Sequence, residues 1–141
     1  MPDLEKAKRI LRENGYTCVL CKGEHILSSY ARGVAPLLGF LDAGQVLTDF
    51  CAADKVVGKG AAILYALLGI TRLYADVISD AALEVLTRHG IDVSYELRVP
   101  HIQNRAKDGR CPIEAALEGI FDLQEALQAI RNTYAALQQK R

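Results

Sequence analysis

Lys55 and Lys59 stand four residues apart, with Gly58 and Gly60 on either side of the second lysine. Read as the opening turns of a helix capped by Asp54, the two lysines share one face. Cations at that end are unfavourable by about 0.3–1 kcal/mol each when exposed, because a helix N-terminus already carries partial positive charge. Free backbone N–H groups, two ammonium groups and glycines that permit close approach together suit an anion, such as a phosphate or carboxylate. The competing reading is structural. The lysines then extend to solvent, Asp54 neutralises one of them, and the glycines let another element pack closely. The pattern is not a P-loop, since Gly-x-x-x-x-Gly-Lys-Ser/Thr is absent.

Cys111 takes the N-cap position of a later helix, with Pro112 at N1 and Glu114 at N3. Ser, Thr, Asp or Asn would cap better there. A thiol at a helix N-terminus beside basic residues such as Arg105, Lys107 and Arg110 is favoured as a thiolate, the form that acts as a nucleophile. Glu114, one turn in, opposes this, and a mediocre cap with no chemistry is the plainer account. Asn104-Arg105 lies in a polar loop, where Arg offers planar, bidentate contacts to carboxylate or phosphate. Of the three histidines, only His101 falls in that loop. Cys18 and Cys21 form a Cys-x-x-Cys inside a strand pattern, which sends them to opposite faces and leaves two buried small hydrophobes. There is no second Cys-x-x-Cys and no His pair at ligand spacing.

These residues need a scaffold. Leu4, Ala7, Ile10 and Leu11 form one stripe of a helix over residues 3–13, which Gly15 ends. Tyr16 to Cys21 and His25 to Ser29 read as a hairpin turning at Lys22-Gly23-Glu24. A short helix carrying Pro36 in its first turn follows, then a strand from Val46 to Cys51. Asp54 caps the helix from Lys55 to about Leu68, which is apolar nearly all round and belongs in the middle of the domain. Leu73 to Ile78 is a strand, and Ser79 caps a helix from Asp80 to His89. Ile91 to Leu97 is the next strand. Cys111 and Asp122 then open the last two helices, the second through Asp122-Leu-Gln-Glu125. A hairpin followed by alternating helices and strands predicts an α/β fold, a mixed sheet of about four to five strands with helices on both faces.

The chain has 141 residues, and 17 Lys+Arg balance 17 Asp+Glu. That length suits one domain over residues 1–141, large enough to fold without disulfides or metal. Zero net charge argues against nucleic acid as the main partner. The longest apolar run, Ala61 to Leu68, is far short of the roughly 18–20 residues of a membrane span. The charged N-terminus lacks the apolar core of a signal peptide, so no membrane partner and a cytoplasmic location are expected. The balance hides a local asymmetry. From Arg98 to Cys111 four basic residues face one acid, and from Pro112 to Ile130 four acids face no base.

Gly33-Val34-x-Pro36-Leu37-Leu38, Ala53-Asp54-Lys55-Val56-Val57-Gly58-Lys59-x-Ala61-Ala62, Asn104-Arg105 and Cys111-Pro112-x-Glu114 together resemble a small prokaryotic family of unknown function, similar in fold to the cytidine deaminases. The resemblance implies a cytidine deaminase-like arrangement. Zinc deaminases require His-x-Glu, or Cys for the His, at the start of one helix and Pro-Cys-x-x-Cys at the start of the next. Here the corresponding segments are Asp54 to Lys59 and Ser79-Asp80-Ala81-Ala82, which offer no such ligand set. Fold alone does not restore the activity.

Two functions of different kind follow. The first is a zinc-free domain that binds a small anionic metabolite, such as a nucleotide or phosphorylated compound. Cys111, Lys59 and Asp54 are its candidates for chemistry, and Lys55, Gly58, Asn104 and Arg105 its candidates for ligand contact, with no cofactor and no metal. The second is an interaction module, as a homo-oligomer or with a partner protein, using apolar residues such as Tyr30, Phe40, Phe50 and Tyr134. A zinc-dependent nucleoside or base deaminase is a distant third.

Overall fold

The computed structural model describes residues 2–103 and 109–139. The element order is α1 (Asp3–Asn14), β1 (Cys18–Lys22), β2 (His25–Ser29), α2 (Ala35–Asp42), β3 (Cys51–Val57), α3 (Lys59–Leu68), β4 (Arg72–Ser79), α4 (Asp80–Arg88), β5 (Asp92–Val99), α5 (Pro112–Ala116) and α6 (Leu123–Gln139). The strands form one five-stranded mixed sheet in the order β2-β1-β3-β4-β5. β1 runs antiparallel to both β2 and β3, while β3, β4 and β5 are parallel. This is the expected α/β class, with helices on both faces.

The faces are unequal. Among the described residues α1 alone covers one side, where Ala7 and Leu11 pack with Val19, Cys21, Ala53 and Tyr74. The other side carries the main core, in which α3 lies under α2, α4, α5 and α6. Tyr65, Leu64, Ile63 and Leu68 of α3 are almost completely buried, so its all-round apolar surface is used on every side. The Cys18 and Cys21 side chains fall on opposite faces, as alternation requires, Cys18 in the main core and Cys21 under α1.

Two boundaries differ from the sequence reading. Val46 to Cys51 is not a strand; Val46 is exposed and Asp49 takes a φ of 67°, which breaks an extended run. The strand is β3, which starts only at Cys51, where the expected one ended, and it absorbs Asp54 and Lys55. Its residues Cys51 to Asp54 are buried between β1 and β4, and pairing on both sides outweighs the local capping signal at Asp54. Helix α3 therefore begins at Lys59, and its N-cap is Gly58, with extended backbone and no capping side chain. Ser79 does cap α4, its Oγ accepting from the Ala82 N–H at 3.2 Å. Asp122 Oδ2 likewise accepts from the Glu125 N–H at 2.8 Å at the start of α6.

The parallel ladders skip a pair at Lys55, Asp76 and Glu96. Beyond that point the alternation changes phase: Leu73 and Ala75 face the main core, and so does Ile78. Val56 and Leu97 are left 48 % and 54 % exposed, each paired with Val77 between them.

Candidate functional site

The parallel strands β3, β4 and β5 end at Val57, Ser79 and Val99, and α3 and α4 start directly after the first two. In open α/β sheets the crevice outside the carboxyl ends of parallel strands is the usual place for a ligand. A cleft of about 640 Å³ lies there. Its lining includes Lys59, Arg88, Arg98, His101 and Arg110, with Asp80, Glu84, Glu114 and Glu118 as counter-charges.

Glu114 ties the floor together. It is 2 % exposed and comes from the first turn of α5. Its Oε2 accepts from the Lys59 N–H at 2.8 Å and from the Ser79 hydroxyl at 2.5 Å, and its Oε1 accepts from the Ile102 N–H at 2.9 Å. One side chain thus joins the starts of α3 and α4 to the segment after β5. A carboxylate at a helix N-terminus is placed where the dipole favours it. The chain itself supplies the anion that the free N–H group of α3 invites. The two glycines are accounted for by the same contact. A Cβ on Gly58 would lie 3.1 Å from Glu114 Oε2, and one on Gly60 would lie 2.7 Å from Ile113 Cγ2. Their close approach is to α5.

Lys59 is 5 % exposed. Its Nζ donates to the Leu117 carbonyl at 2.6 Å and lies 4.9 Å from the centre of the Phe121 ring. Burial draws its pKa below the usual lysine value; Glu84, Glu114 and Glu118 oppose this and Arg88 reinforces it. The arginines of the cleft are held by surface ion pairs: Arg98 with Asp80 at 2.6 Å, Arg88 with Glu84 at 3.2 Å and Arg110 with Glu118 at 3.3 Å. Arg110 keeps its Nε buried with no hydrogen-bond partner among the described residues.

The other sequence candidates are dispersed. Lys55 is an exposed strand residue whose N–H donates to the Thr17 carbonyl at 3.0 Å, so it shares no helix face with Lys59. Asp54 is no cap; it lies inside the sheet, where Oδ2 accepts from the Tyr65 hydroxyl at 2.7 Å and Oδ1 from the Val56 N–H at 3.2 Å. Burial pushes the Asp54 carboxyl up to about 7, against the pull of those donors. Cys111 holds the N-cap of α5 as read, but its side chain makes no capping bond and packs against the main core. It is absent from the cleft lining, and α5 is only five residues long. Asn104 and Arg105 lie outside the described residues. Sequence reading missed Arg88 and Arg98 as cleft residues, and saw Glu114 only as a neighbour of Cys111. Besides Lys59 itself, the basic bias from Arg98 to Cys111 was the signal pointing to this end of the sheet.

Zinc fits this floor poorly. At the starts of α3 and α4 stand Lys59 and Ser79, and among the described residues no three His, Cys, Asp or Glu side chains gather to hold a metal ion.

A mixed sheet with helices on both faces and a charged cleft at its carboxyl edge defines an α/β domain with a preformed crevice. The chain belongs to the family described as Domain of unknown function (DUF1893), whose profile matches residues 6–134. It is similar to the crystal structure of a DUF1893 family protein from Thermotoga maritima, at 25% identity and a TM-score of 0.84, over 95% of this chain and 89% of that one. A diaminohydroxyphosphoribosylaminopyrimidine deaminase/5-amino-6-(5-phosphoribosylamino)uracil reductase, also from Thermotoga maritima, gives 12% identity and a TM-score of 0.41, over 99% of this chain and 41% of that one. At that score no chemistry transfers. No curated protein matches the chain.

Proposed function

We propose that the chain binds a small anionic metabolite, such as a nucleotide or phosphorylated compound, in the cleft at the carboxyl ends of β3, β4 and β5. The observation that carries this reading is a buried lysine, Lys59, on the floor of a 640 Å³ cleft whose walls hold Arg88, Arg98 and Arg110. Exposed ion pairs are worth about 0–1 kcal/mol, so an incoming anion can displace Glu84, Asp80 or Glu118 from its arginine at small cost. The unpartnered Arg110 Nε is a further donor at the same place. The deaminase resemblance enters as architecture only. α3 and α4 begin side by side at the sheet edge, but Glu114 stands between them and the ligand would lie outside it.

Thermal unfolding with inorganic phosphate and a panel of nucleoside monophosphates tests the proposal. A ligand at about 100 times its Kd stabilises by about 2.7 kcal/mol, a readily measured rise in Tm. Arg110→Ala should reduce that rise. No rise across the panel would overturn the reading.

A second reading, a homo-oligomer or partner-binding module, draws on the apolar strip of Val56, Val77 and Leu97 on the open part of the sheet. Of the aromatic residues first considered for it, Tyr30 is exposed, Phe50 is buried, and Phe40 and Tyr134 pack against the main core. Light scattering after size exclusion decides: a monomer at high concentration removes the homo-oligomer.

A further inference from the structure

Lys59 is the one buried cation among the described residues, and it is set into a cleft rather than a closed core. A lysine there has two ordinary explanations. It either pairs with a buried carboxylate or acts as a strut. The first does not apply, because the buried Glu114 carboxylate is taken up by the Lys59 backbone N–H, the Ser79 hydroxyl and the Ile102 N–H. Among the described residues, the Lys59 side chain makes one hydrogen bond, to the Leu117 carbonyl, and faces the Phe121 ring. A neutral amine keeps two hydrogens, one of which can make that single donation. Burial, the largest influence, and the weaker one of Arg88 favour the neutral form, Glu84, Glu114 and Glu118 favour the ammonium, and the balance lies below the usual lysine value; the neutral form carries a lone pair.

We propose that Lys59 is a nucleophilic amine that forms an imine with a small anionic aldehyde or ketone bound in the cleft. This rests on the ligand-binding reading above and names the class of compound the cleft takes. The Nζ lone pair attacks the carbonyl carbon, and a carbinolamine forms. The carbonyl oxygen then leaves as water, carrying the two hydrogens of the neutral amine, and a C=N bond to Nζ remains. No oxidant, reductant or metal is needed. The carboxylate or phosphate of the compound meets Arg88, Arg98 or Arg110 on the walls, which is why an uncharged carbonyl compound would be held less well.

The experiment uses the full chain near neutral pH with glyoxylate as the probe, cyanoborohydride to reduce the imine, and peptide mass spectrometry to place the label. Lys59 should label about tenfold or more faster than the exposed strand residue Lys55, because the cleft holds the anionic aldehyde beside it. Inorganic phosphate should slow labelling of Lys59 and leave Lys55 unaffected, and acetaldehyde should show a much smaller preference for Lys59 than glyoxylate does. Lys59→Arg should abolish the fast label while keeping the backbone N–H that Glu114 accepts from. The wild-type ratio stands even if that variant fails to fold. Labelling of Lys59 no faster than Lys55 overturns the imine, and a phosphate-induced rise in Tm in the same preparation then leaves ligand binding intact. Fast labelling that acetaldehyde reproduces, or that phosphate does not slow, overturns the anionic substrate class.

Discussion

Asp54 and Glu114 are both buried carboxyl groups, 8 % and 2 % exposed, and they sit in opposite kinds of setting. Asp54 lies within the sheet under α3 and has one hydroxyl and one close backbone N–H as donors. Burial dominates there, and the group is pushed up to about 7. Glu114 lies at the sheet's edge and takes three donors from three separate segments, two of them at helix starts. One carboxyl is placed in spite of its charge, the other where charge is wanted. Burial alone does not say what a carboxyl group does; the number and origin of its donors do.

The comparison breaks most visibly at Glu114. Glu114→Ala strands the donors of Lys59, Ser79 and Ile102, each costing about 1–3 kcal/mol if left unsatisfied. A loss of about 3 kcal/mol or more in urea unfolding is expected, and a loss below about 1 kcal/mol would show that water replaces the carboxylate freely.

Asp54 should respond to pH. Its folded value of about 7 stands above the ordinary 3.8, so the folded state holds the proton more tightly. Its stabilising contribution is complete below the ordinary value and is lost as pH rises through about 7. Wild-type stability should fall over that interval by up to about 1.4 kcal/mol per pH unit. Asp54→Asn should flatten the slope, since its amide oxygen still accepts from Tyr65 or Val56. Equal slopes in the two proteins, measured by denaturant midpoints from pH 4 to 8, would remove Asp54 as the cause.

Gly60→Ala sets helix propensity against space. Alanine favours α3 by about 1 kcal/mol, but its Cβ would meet Ile113 Cγ2 at 2.7 Å. Overpacking costs about 1–3 kcal/mol, so a net loss is expected, and a gain in Tm would show that α5 moves aside easily. Smallest of all should be Lys55→Ala, on an exposed strand position, within about 0.5 kcal/mol of wild type. A larger loss would give Lys55 a partner that the fold does not show.

Much of the scaffold was legible in the sequence because its signals are local. The stripe of α1, the hairpin turn, the Ser79 cap and the Asp122 cap all sit within a few residues of what they specify. The start of α3 was misread because Asp54 looks like a cap in isolation, while its place is set by β1 and β4, brought alongside from elsewhere in the chain. The grouping of Lys55 with Lys59 on one helix face was misread for the same reason. Lys59 stands on the cleft floor as a candidate, but Lys55 was tied to it by a helix that begins too late to include it. The role of Glu114 depends on partners 12, 35 and 55 residues away, a distance at which composition and periodicity say nothing.

The Glu114 contact also sets a clock on part of the backbone. The amide protons of Lys59 and Ile102 are both donated to one side chain carried by α5. Both become free to exchange with solvent deuterium when that side chain swings away or α5 departs. Their protection should rise and fall together, as one cooperative opening rather than two independent flickers.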